Sequence, residues 1–354
     1  MVRDFERDDG GLRVVFGTGT LARLRDELDR LGGRRALVLS TPRRGELVSR
    51  VVAGLGGAAA GVFDGAVMHT PVEVTEAALA RAAEAGADSV VSVGGGTTTG
   101  LGKAVAYRLG VPHVVLPTTY AGSEVTPVLG ETAGGRKTTT TDPAIRPDTV
   151  IYDVSLTTGL PWPVTVASAV NSMAHAVEAL YAPGRTGATD RMATESIAAL
   201  ATGLRQLATG SGEARAELLY GAYLAGLCLG AVGMGLHHKL CHTLGGSFGL
   251  PHAPLHTVVL PYAMDYNAPA AREAMRAVAG ALGVADAPAG LQRFTRSLGG
   301  PADLAGLGFG EADVDRAAGL ATERPYPNPR PVTRDGVADL LRRALTGQSI
   351  GGPR

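Results

Sequence analysis

Six of the eight histidines in this chain fall in two short stretches, at 175 and at 237–256. His238 and His242 are four residues apart, as are Asn171 and His175. On a helix this spacing puts both members of a pair on one face, about 5–6 Å apart. Two helices that each present such a pair could build a site for a divalent metal, a proton relay or a bound anion.

Charge and composition exclude several classes of protein. Lys+Arg 33 balances Asp+Glu 33, so we expect no basic surface for nucleic acid. The two cysteines, Cys228 and Cys241, indicate a reducing compartment rather than a disulfide framework. The charged N-terminal sequence lacks the apolar segment of a signal peptide, and glycines interrupt the apolar stretch Leu218–Met234. We therefore expect a cytoplasmic protein that does not span a membrane.

Short apolar runs alternate with helical patterns through the first half of the chain. Strands are predicted at Arg13–Phe16, Arg35–Ser40, Ser89–Val93, His113–Leu116 and Val150–Tyr152, and helices at Thr20–Leu31, Gly45–Leu55, Thr75–Ala85 and Leu101–Leu109. This alternation predicts a parallel sheet with helices on both faces. Val128–Thr132 and Arg136–Thr140 flank the glycines at 134 and 135, which predicts a hairpin.

The second half shows helical periodicity and almost no strand signal. Helices are predicted at Val164–Tyr181, Thr189–Leu207, Glu213–Leu244, Ala270–Ala281 and Pro288–Leu298. Pro288 would sit in the first turn of its helix, where proline is tolerated. We therefore predict an α/β domain at 1–158 and an all-helical domain at 159–354.

Two loops at the ends of predicted strands are suited to binding a cofactor. Gly94–Gly96 and the threonines that follow lie between a strand and a helix, where glycines let a pyrophosphate approach the helix N-terminus. The alternative is an ordinary strand-to-helix turn, and Lys103 is wrongly spaced for a Walker A loop. The loop after the next strand, Pro117–Thr126, is rich in small and hydroxyl residues, which suits a ligand site or a capped turn into the hairpin.

These motifs together resemble a known family. The GGG-Thr loop, PTTYAGSE, the Asn171–His175 pair and the pattern His238-x3-His242-x9-His252 resemble the iron-containing (group III) alcohol dehydrogenases. Within that family TTYAGSEVTP, HHKLCHTLGG, LPHAPLHTVVLP and YPNPRP are similar to the maleylacetate reductases, and the resemblance covers nearly the whole chain. It implies the dehydroquinate synthase-like two-domain fold: a Rossmann-like N-terminal domain, an all-helical C-terminal domain and a nicotinamide cofactor in the cleft between them.

The resemblance also implies which residues hold the cofactor. The pyrophosphate is assigned to Gly94, Gly95, Gly96 and Thr97, while Thr118, Thr119 and Tyr120 are assigned to positions along the cofactor. Thr41, followed by Pro42, Arg43 and Arg44, stands where an acidic residue would bond to the adenosine ribose. Because no acid is present to repel a 2′-phosphate, we expect NADH to be used and NADPH to be tolerated.

Metal-dependent members of the family use one aspartate and three histidines as ligands. The aligned positions are Asn171, His175, His238 and His252. Asn171 offers a neutral carbonyl oxygen instead of a carboxylate, which should weaken metal binding, although three histidines alone can hold Zn²⁺. Maleylacetate reductases typically carry this asparagine and are regarded as working without a required metal. We expect a metal to be dispensable here too.

The reaction that the resemblance implies is reduction of the C=C bond of maleylacetate, a small dicarboxylate keto acid, to 3-oxoadipate. Hydride would add to the alkene carbon β to the ketone, and negative charge would develop on the ketone oxygen. We assign His242 as proton donor or enolate stabiliser, assisted by His175, His238 and His252. Lys239 is a candidate ligand for a substrate carboxylate, and an exposed salt bridge is an equally good interpretation of it.

Two other functions stay open on the sequence alone. One is a metal-dependent alcohol or polyol dehydrogenase of the same superfamily, which chelation and activity with simple alcohols would distinguish. The other is a lyase resembling dehydroquinate synthase, which would show no net consumption of NADH. The pathway, aromatic degradation or a related route, is also open, and the family resemblance favours a homodimer.

Overall fold

The computed structural model describes residues 4–42, 45–134, 136–211 and 214–351. The chain divides into two units, Met1–Leu160 and Pro161–Arg354. Strands and helices alternate in the first unit, whereas the second is built from helices. The predicted fold class is therefore confirmed.

The parallel sheet of the first unit forms from the short apolar runs of the sequence. The strands are β1 (Phe5–Asp8), β2 (Arg13–Gly17), β3 (Ala36–Leu39), β4 (Ala59–Phe63), β5 (Ser89–Gly94), β6 (His113–Pro117), β7 (Val128–Ala133), β8 (Arg136–Thr141) and β9 (Thr149–Asp153). Within the described residues, seven of them form a sheet in the order β1-β2-β9-β6-β5-β3-β4. β1 runs antiparallel to β2, and the other neighbours are parallel.

The sequence did not predict the two edge strands of this sheet, β1 and β4. β1 is highly charged and half-buried to exposed, and β4 has a glycine at its centre and an exposed valine. Neither therefore carries the continuous apolar signal of a central strand such as β5, in which every residue is buried. The predicted hairpin is confirmed as the antiparallel pair β7 and β8, while Gly135 of its turn lies outside the described residues.

The helices of the first unit pack on the sheet. They are α1 (Leu24–Arg30), which follows a 3-10 turn at Thr20–Arg23, α2 (Gly45–Leu55), α3 (Val72–Ala85) and α4 (Gly96–Leu109). The predicted start of α4 at Leu101 is wrong, since the helix begins five residues earlier. Glycine and threonine are poor helix formers, but the backbone N–H groups of Thr98 and Thr99 bond to the Gly95 carbonyl at 3.1 and 3.0 Å.

The second unit surrounds one almost wholly buried helix. Its helices are α5 (Trp162–Ala179), α6 (Gly187–Ala208), α7 (Ala214–Ala231), α8 (Leu236–Phe248), α9 (His252–Asn267), α10 (Arg272–Leu282), α11 (Ala287–Ser297), α12 (Glu311–Thr322) and α13 (Arg334–Leu345). From Thr165 to Ala179 every residue of α5 is buried. Pro288 lies in the first turn of α11, as predicted. The sequence missed α9, whose prolines, including Pro261 within the helix, obscure the helical pattern.

The single helix predicted at Glu213–Leu244 is wrong. The described part of this segment forms α7 and α8, whose axes differ by 97°, while Glu213 lies outside the described residues. Gly233 and Gly235 weaken the helix at the break, where Gly235 becomes the N-cap of α8. Among the described residues, no single helix is long and apolar enough to cross a membrane, and only the bent α7–α8 pair meets the length and composition test.

Candidate active site

Helix α5 contributes three polar side chains to one face. Asn171, His175 and Glu178 follow one another at spacings of four and three residues, so they are stacked along the helix. All three are buried, with exposed fractions of 6%, 5% and 0%. A polar stripe this deep in a helical core needs partners from neighbouring helices, because an unpaired buried polar group is costly.

Those partners include the predicted histidines of α8 and α9. The ring of His175 stacks on that of His238 with 5.0 Å between centroids and 24° between planes. His242 lies one turn further along α8 and is exposed, and its ring centroid is 6.2 Å from that of His238. His252, the first residue of α9, is half-buried, and its ring centroid lies 4.4 Å from that of His256. The second unit thus gathers the predicted histidines into one cluster.

Lys239 follows His238 on α8 and is half-buried. Successive residues on a helix point about 100° apart, so Lys239 points away from His238, but it lies three residues before His242 and shares that part of the helix face. Its assignment as a carboxylate ligand stays a prediction.

Glu178 is a residue of this cluster that the sequence interpretation missed. Its Oε2 lies 2.7 Å from Nδ1 of His238, and its carboxylate also accepts hydrogen bonds from the backbone N–H groups of Gly235 and His237 at 2.9 and 2.8 Å. The signal was present as the spacing His175-x2-Glu178, which places the glutamate on the same face as the histidine. Its partners lie almost 60 residues away, so no local pattern indicates the contact.

A second layer of buried side chains supports the cluster. Nε2 of His237 lies 2.9 Å from Nδ1 of His256, and the Cys241 sulfur is 3.7 Å from Nε2 of His237. His237, Cys241 and His256 each offer one potential ligand atom, and these three atoms lie within 4.8 Å of one another, which is close enough to hold a metal ion. The two rings are hydrogen-bonded to each other, however, so we interpret the group as packing support for His238 and His252.

Burial controls the protonation of the deepest histidines. Desolvation lowers the pKa of His175 well below its usual value, and the neighbouring His238, His252 and His242 add to the lowering. Burial likewise lowers the pKa of His237 and His256. These rings are therefore neutral at physiological pH, whereas His242 is exposed and can exchange protons with solvent.

The aligned ligand positions fit a divalent metal in donor type. Oδ1 of Asn171, Nδ1 of His175 and Nε2 of His238 are buried and have no hydrogen-bond partner among the residues that the structure describes. Amide oxygen and imidazole nitrogen are both metal donors, and a metal held there with His252 would act as a Lewis acid. None of these four positions carries a carboxylate, because Asn171, with its neutral side chain, occupies the place of the aspartate.

The glycine loop of the first unit fits a pyrophosphate. Gly95 is the N-cap of α4 and Gly96 is its first residue. Gly95 and Thr97 are half-buried and Gly96 is exposed, so a ligand can reach the first backbone N–H groups of the helix. The hydroxyl of Thr99 donates to the Gly95 carbonyl at 3.2 Å.

The second loop lies directly beside the first. The Thr118 N–H donates to the Gly94 carbonyl at 2.9 Å, and a Cβ added to Gly95 would come within 2.6 Å of Oγ1 of Thr119. Thr119 is half-buried, whereas Thr118 and Tyr120 are buried, so their assignment to the cofactor stays a prediction.

The residues assigned to the adenosine ribose follow β3. Thr41 is half-buried there, and Arg43 and Arg44 lie outside the described residues.

A buried lysine holds this second loop in place, which the sequence interpretation missed. Nζ of Lys103 donates to the carbonyls of Ser123 and Thr126 at 2.6 and 2.7 Å. Burial lowers its pKa to about 7, while the neighbouring Glu124 favours the charged form. Glu124 is itself buried and accepts a hydrogen bond from the Tyr152 hydroxyl at 2.9 Å. The sequence signal for this role was a single charged residue, Lys103, within the apolar part of α4.

Comparison with known proteins agrees with this architecture. A family model described as iron-containing alcohol dehydrogenase matches residues 12–154, and one for the C-terminal part of the Fe-containing alcohol dehydrogenase family matches 165–345. Maleylacetate reductase 1 of Rhodococcus opacus is 55% identical over 337 residues, which cover 95% of this chain and 94% of the relative. Maleylacetate reductase of Burkholderia cepacia is 50% identical over 337 residues, with 95% and 96% covered.

A solved structure shows the same fold. The crystal structure of maleylacetate reductase from Rhizobium sp. strain MTP-10005 has a TM-score of 0.91 at 49% identity, with 99% of this chain and 100% of that chain covered. The resemblance to maleylacetate reductases is thereby confirmed. The family's description as iron-containing does not support the expectation that a metal is dispensable. On these matches, which extend over nearly its whole length, the chain belongs to the iron-containing alcohol dehydrogenase family and is an oxidoreductase.

Proposed function

We propose that this protein uses NADH, and tolerates NADPH, to reduce the C=C bond of maleylacetate and form 3-oxoadipate. Relatives named for this activity are 45–55% identical to the chain over almost its whole length, which supports the assignment. The observation that carries it is the cluster of imidazoles on α5, α8 and α9, in which the aligned ligand positions include no acid. These four positions suit a substrate with two carboxylates because they add no like charge, while the carboxylate of Glu178 is fully buried and hydrogen-bonded to His238 and to the backbone of α8.

The chemistry that bound NADH supplies is hydride transfer to the alkene carbon β to the ketone. The protein must then stabilise the charge on the ketone oxygen and deliver a proton to the carbon next to the ketone. His242 suits the proton transfer because it is exposed and can be reprotonated from solvent. His175 suits hydrogen bonding in its neutral form, because burial lowers its pKa. His252 and Lys239, both half-buried, are proposed to contact substrate.

We further propose that the reaction does not require a metal. The support is the neutral side chain of Asn171, which lacks the charge of the aspartate in metal-dependent members. The buried donors of the site still fit a cation, so weak binding is compatible with the proposal.

Cofactor binding by residues 1–158, catalysis by residues 159–354 and assembly as a homodimer are parts of the same proposal. Light scattering of the purified protein tests the dimer.

The function is tested by following NADH oxidation with freshly prepared maleylacetate, with and without a chelator. We expect stoichiometric formation of 3-oxoadipate, identified by mass spectrometry, and most of the activity to survive chelation. Simple alcohols with NAD⁺ serve as the comparison substrates. No turnover of maleylacetate alongside turnover of another carbonyl compound would contradict the proposal, and loss of activity on chelation would contradict its metal-independent form.

A further inference from the structure

Glu178 is the fully buried carboxylate that faces the N-terminus of α8. Its Oε2 lies 2.7 Å from Nδ1 of His238 and 2.9 Å from the backbone nitrogen of Gly235, and its Oε1 lies 2.8 Å from the backbone nitrogen of His237. The backbone contacts satisfy donors that the start of a helix leaves without an intrahelical partner. The contact with the His238 ring is additional, because capping a helix does not require it.

The direction of these hydrogen bonds determines the form of the His238 ring. The backbone groups that contact Glu178 are donors, so the carboxylate acts as the acceptor. Nδ1 of His238 must then carry the hydrogen, and in the neutral ring Nε2 carries the lone pair. Nε2 is buried without a hydrogen-bond partner among the described residues, on a ring that stacks with His175.

The YPNPRP segment also contacts the turn that begins α8. Asn328 belongs to the YPNPRP segment, and its Oδ1 lies 3.3 Å from the backbone nitrogen of Leu236. The amides of Asn328 and Asn267 exchange two hydrogen bonds, at 2.7 and 3.0 Å. A Cβ at Gly235 would lie 3.1 Å from Oε1 of Glu178 and 3.2 Å from Oδ1 of Asn328. The turn that begins α8 is thus held between two polar side chains that are distant in sequence.

We propose that Glu178 is a positioning residue that fixes the tautomer of His238, so that Nε2 faces the site as an acceptor or metal donor and not as a neutral hydrogen-bond donor. Asn328 maintains the turn on which this contact depends. The chemical consequence rests on the proposed function: the proton required by the enolate is left to His242, since neutral His238 has no hydrogen on Nε2.

The tautomer can be measured directly on the unmodified protein. Histidine labelled with ¹⁵N gives ring nitrogen shifts that distinguish a protonated Nδ1 from a protonated Nε2, and a His238→Asn variant identifies the His238 signals. In the neutral ring, observed above the pH at which the His238 signals titrate, we expect a protonated Nδ1 and an unprotonated Nε2 in the absence of substrate. A protonated Nε2 in the neutral ring would overturn the proposal. Because no substrate is involved, failure to reduce maleylacetate would overturn the proposed function alone.

Variants of Glu178 test the catalytic consequence. Glu178→Gln retains the shape and one acceptor oxygen, but its NH₂ group can donate to Nδ1 and favour the opposite tautomer. Loss of a partner that orients a functional histidine typically costs roughly 10–100-fold, so we expect kcat to fall by that amount while KM for NADH is unchanged. Glu178→Asp retains the carboxylate and should recover part of the loss.

Glu323→Gln is the matched control, since it removes the same charge from an exposed position at the end of α12. Its kcat should equal that of the wild type. Full kcat in Glu178→Gln with a reversed tautomer would overturn the proposal. If Glu178→Gln does not fold, the tautomer of the unmodified protein still decides the question.

Discussion

The backbone of Gly95 lies against the side chain of Thr119, so that a Cβ on the glycine would come within 2.6 Å of Oγ1. Gly95 follows β5, and Thr119 follows β6, its parallel neighbour. The pairing of these strands brings both loops to the same edge of the sheet. The adjacent loop alone therefore requires glycine at this position.

Gly95→Ala should weaken NADH binding. Overpacking typically costs about 1–3 kcal/mol, so the added methyl should displace Thr119 and raise Kd roughly tenfold or more. Fluorescence titration with NADH measures the change. Gly54→Ala is the control, because a Cβ at that position in α2 meets no atom within 4 Å. Equal affinity in the two variants would argue against a cofactor site at this loop.

Lys103→Met should destabilise the first unit. The substitution keeps the apolar chain but leaves the buried carbonyls of Ser123 and Thr126 without their donor, a loss of about 2–5 kcal/mol. Urea unfolding measures the free energy of unfolding. Tyr107→Phe removes an exposed hydroxyl from the same helix and should cost less than about 1 kcal/mol. Equal stability of the two variants would contradict a structural role for the lysine.

His242→Ala should lower kcat with maleylacetate. General acid catalysis typically contributes 10²–10⁴-fold, so a loss of that order is expected, with little change in KM for NADH. Steady-state kinetics provide the measurement. His69→Asn is the control, since His69 lies in the first unit at a positive φ of 67°, which asparagine tolerates. A rise in KM with near-normal kcat would make His242 a binding residue instead of a proton donor.

Asn171→Asp should create a stronger metal site. The carboxylate would add charge to the buried donors of His175 and His238, so the variant should retain more Zn²⁺ or Fe²⁺ after dialysis than the wild type. Asn171→Ala, which removes the oxygen, should retain no more than the wild type. Elemental analysis of the dialysed proteins measures the content. Stoichiometric metal in the wild type, together with inactivation on its removal, would refute metal independence.

Stability should fall steeply below pH 6.5. Burial lowers the pKa of His113 to about 3, and lowers those of His175, His237 and His256 well below the usual value. In the unfolded chain these rings titrate near pH 6.5, so unfolding takes up protons as the pH falls below that value. Each proton contributes a slope of about 1.4 kcal/mol per pH unit.

Urea unfolding between pH 7 and pH 5 measures this slope. The control is His113→Gln, which removes one buried titrating ring and should reduce the slope by about 1.4 kcal/mol per pH unit. An identical slope in the variant would show that folding does not lower the pKa of His113.

Local patterns were sufficient for much of this protein. Continuous apolar runs predicted the central strands such as β5 and β6, because strands buried on both faces carry no polar alternation. The i,i+4 pairs placed Asn171 with His175 and His238 with His242 on shared helix faces, as observed in α5 and α8. The motifs around them identified the family, which the comparisons confirmed.

Only the tertiary structure decided where the helix at 214–248 breaks and which side chain contacts the ring of His238. That side chain is Glu178, whose partners at 235–238 lie almost 60 residues further along the chain. The same holds for Lys103, whose buried amine is satisfied by carbonyls of a distant loop. Periodicity reports which side chains are apolar and which face they share. A hydrogen bond between segments distant in sequence follows from packing, and no local pattern specifies it.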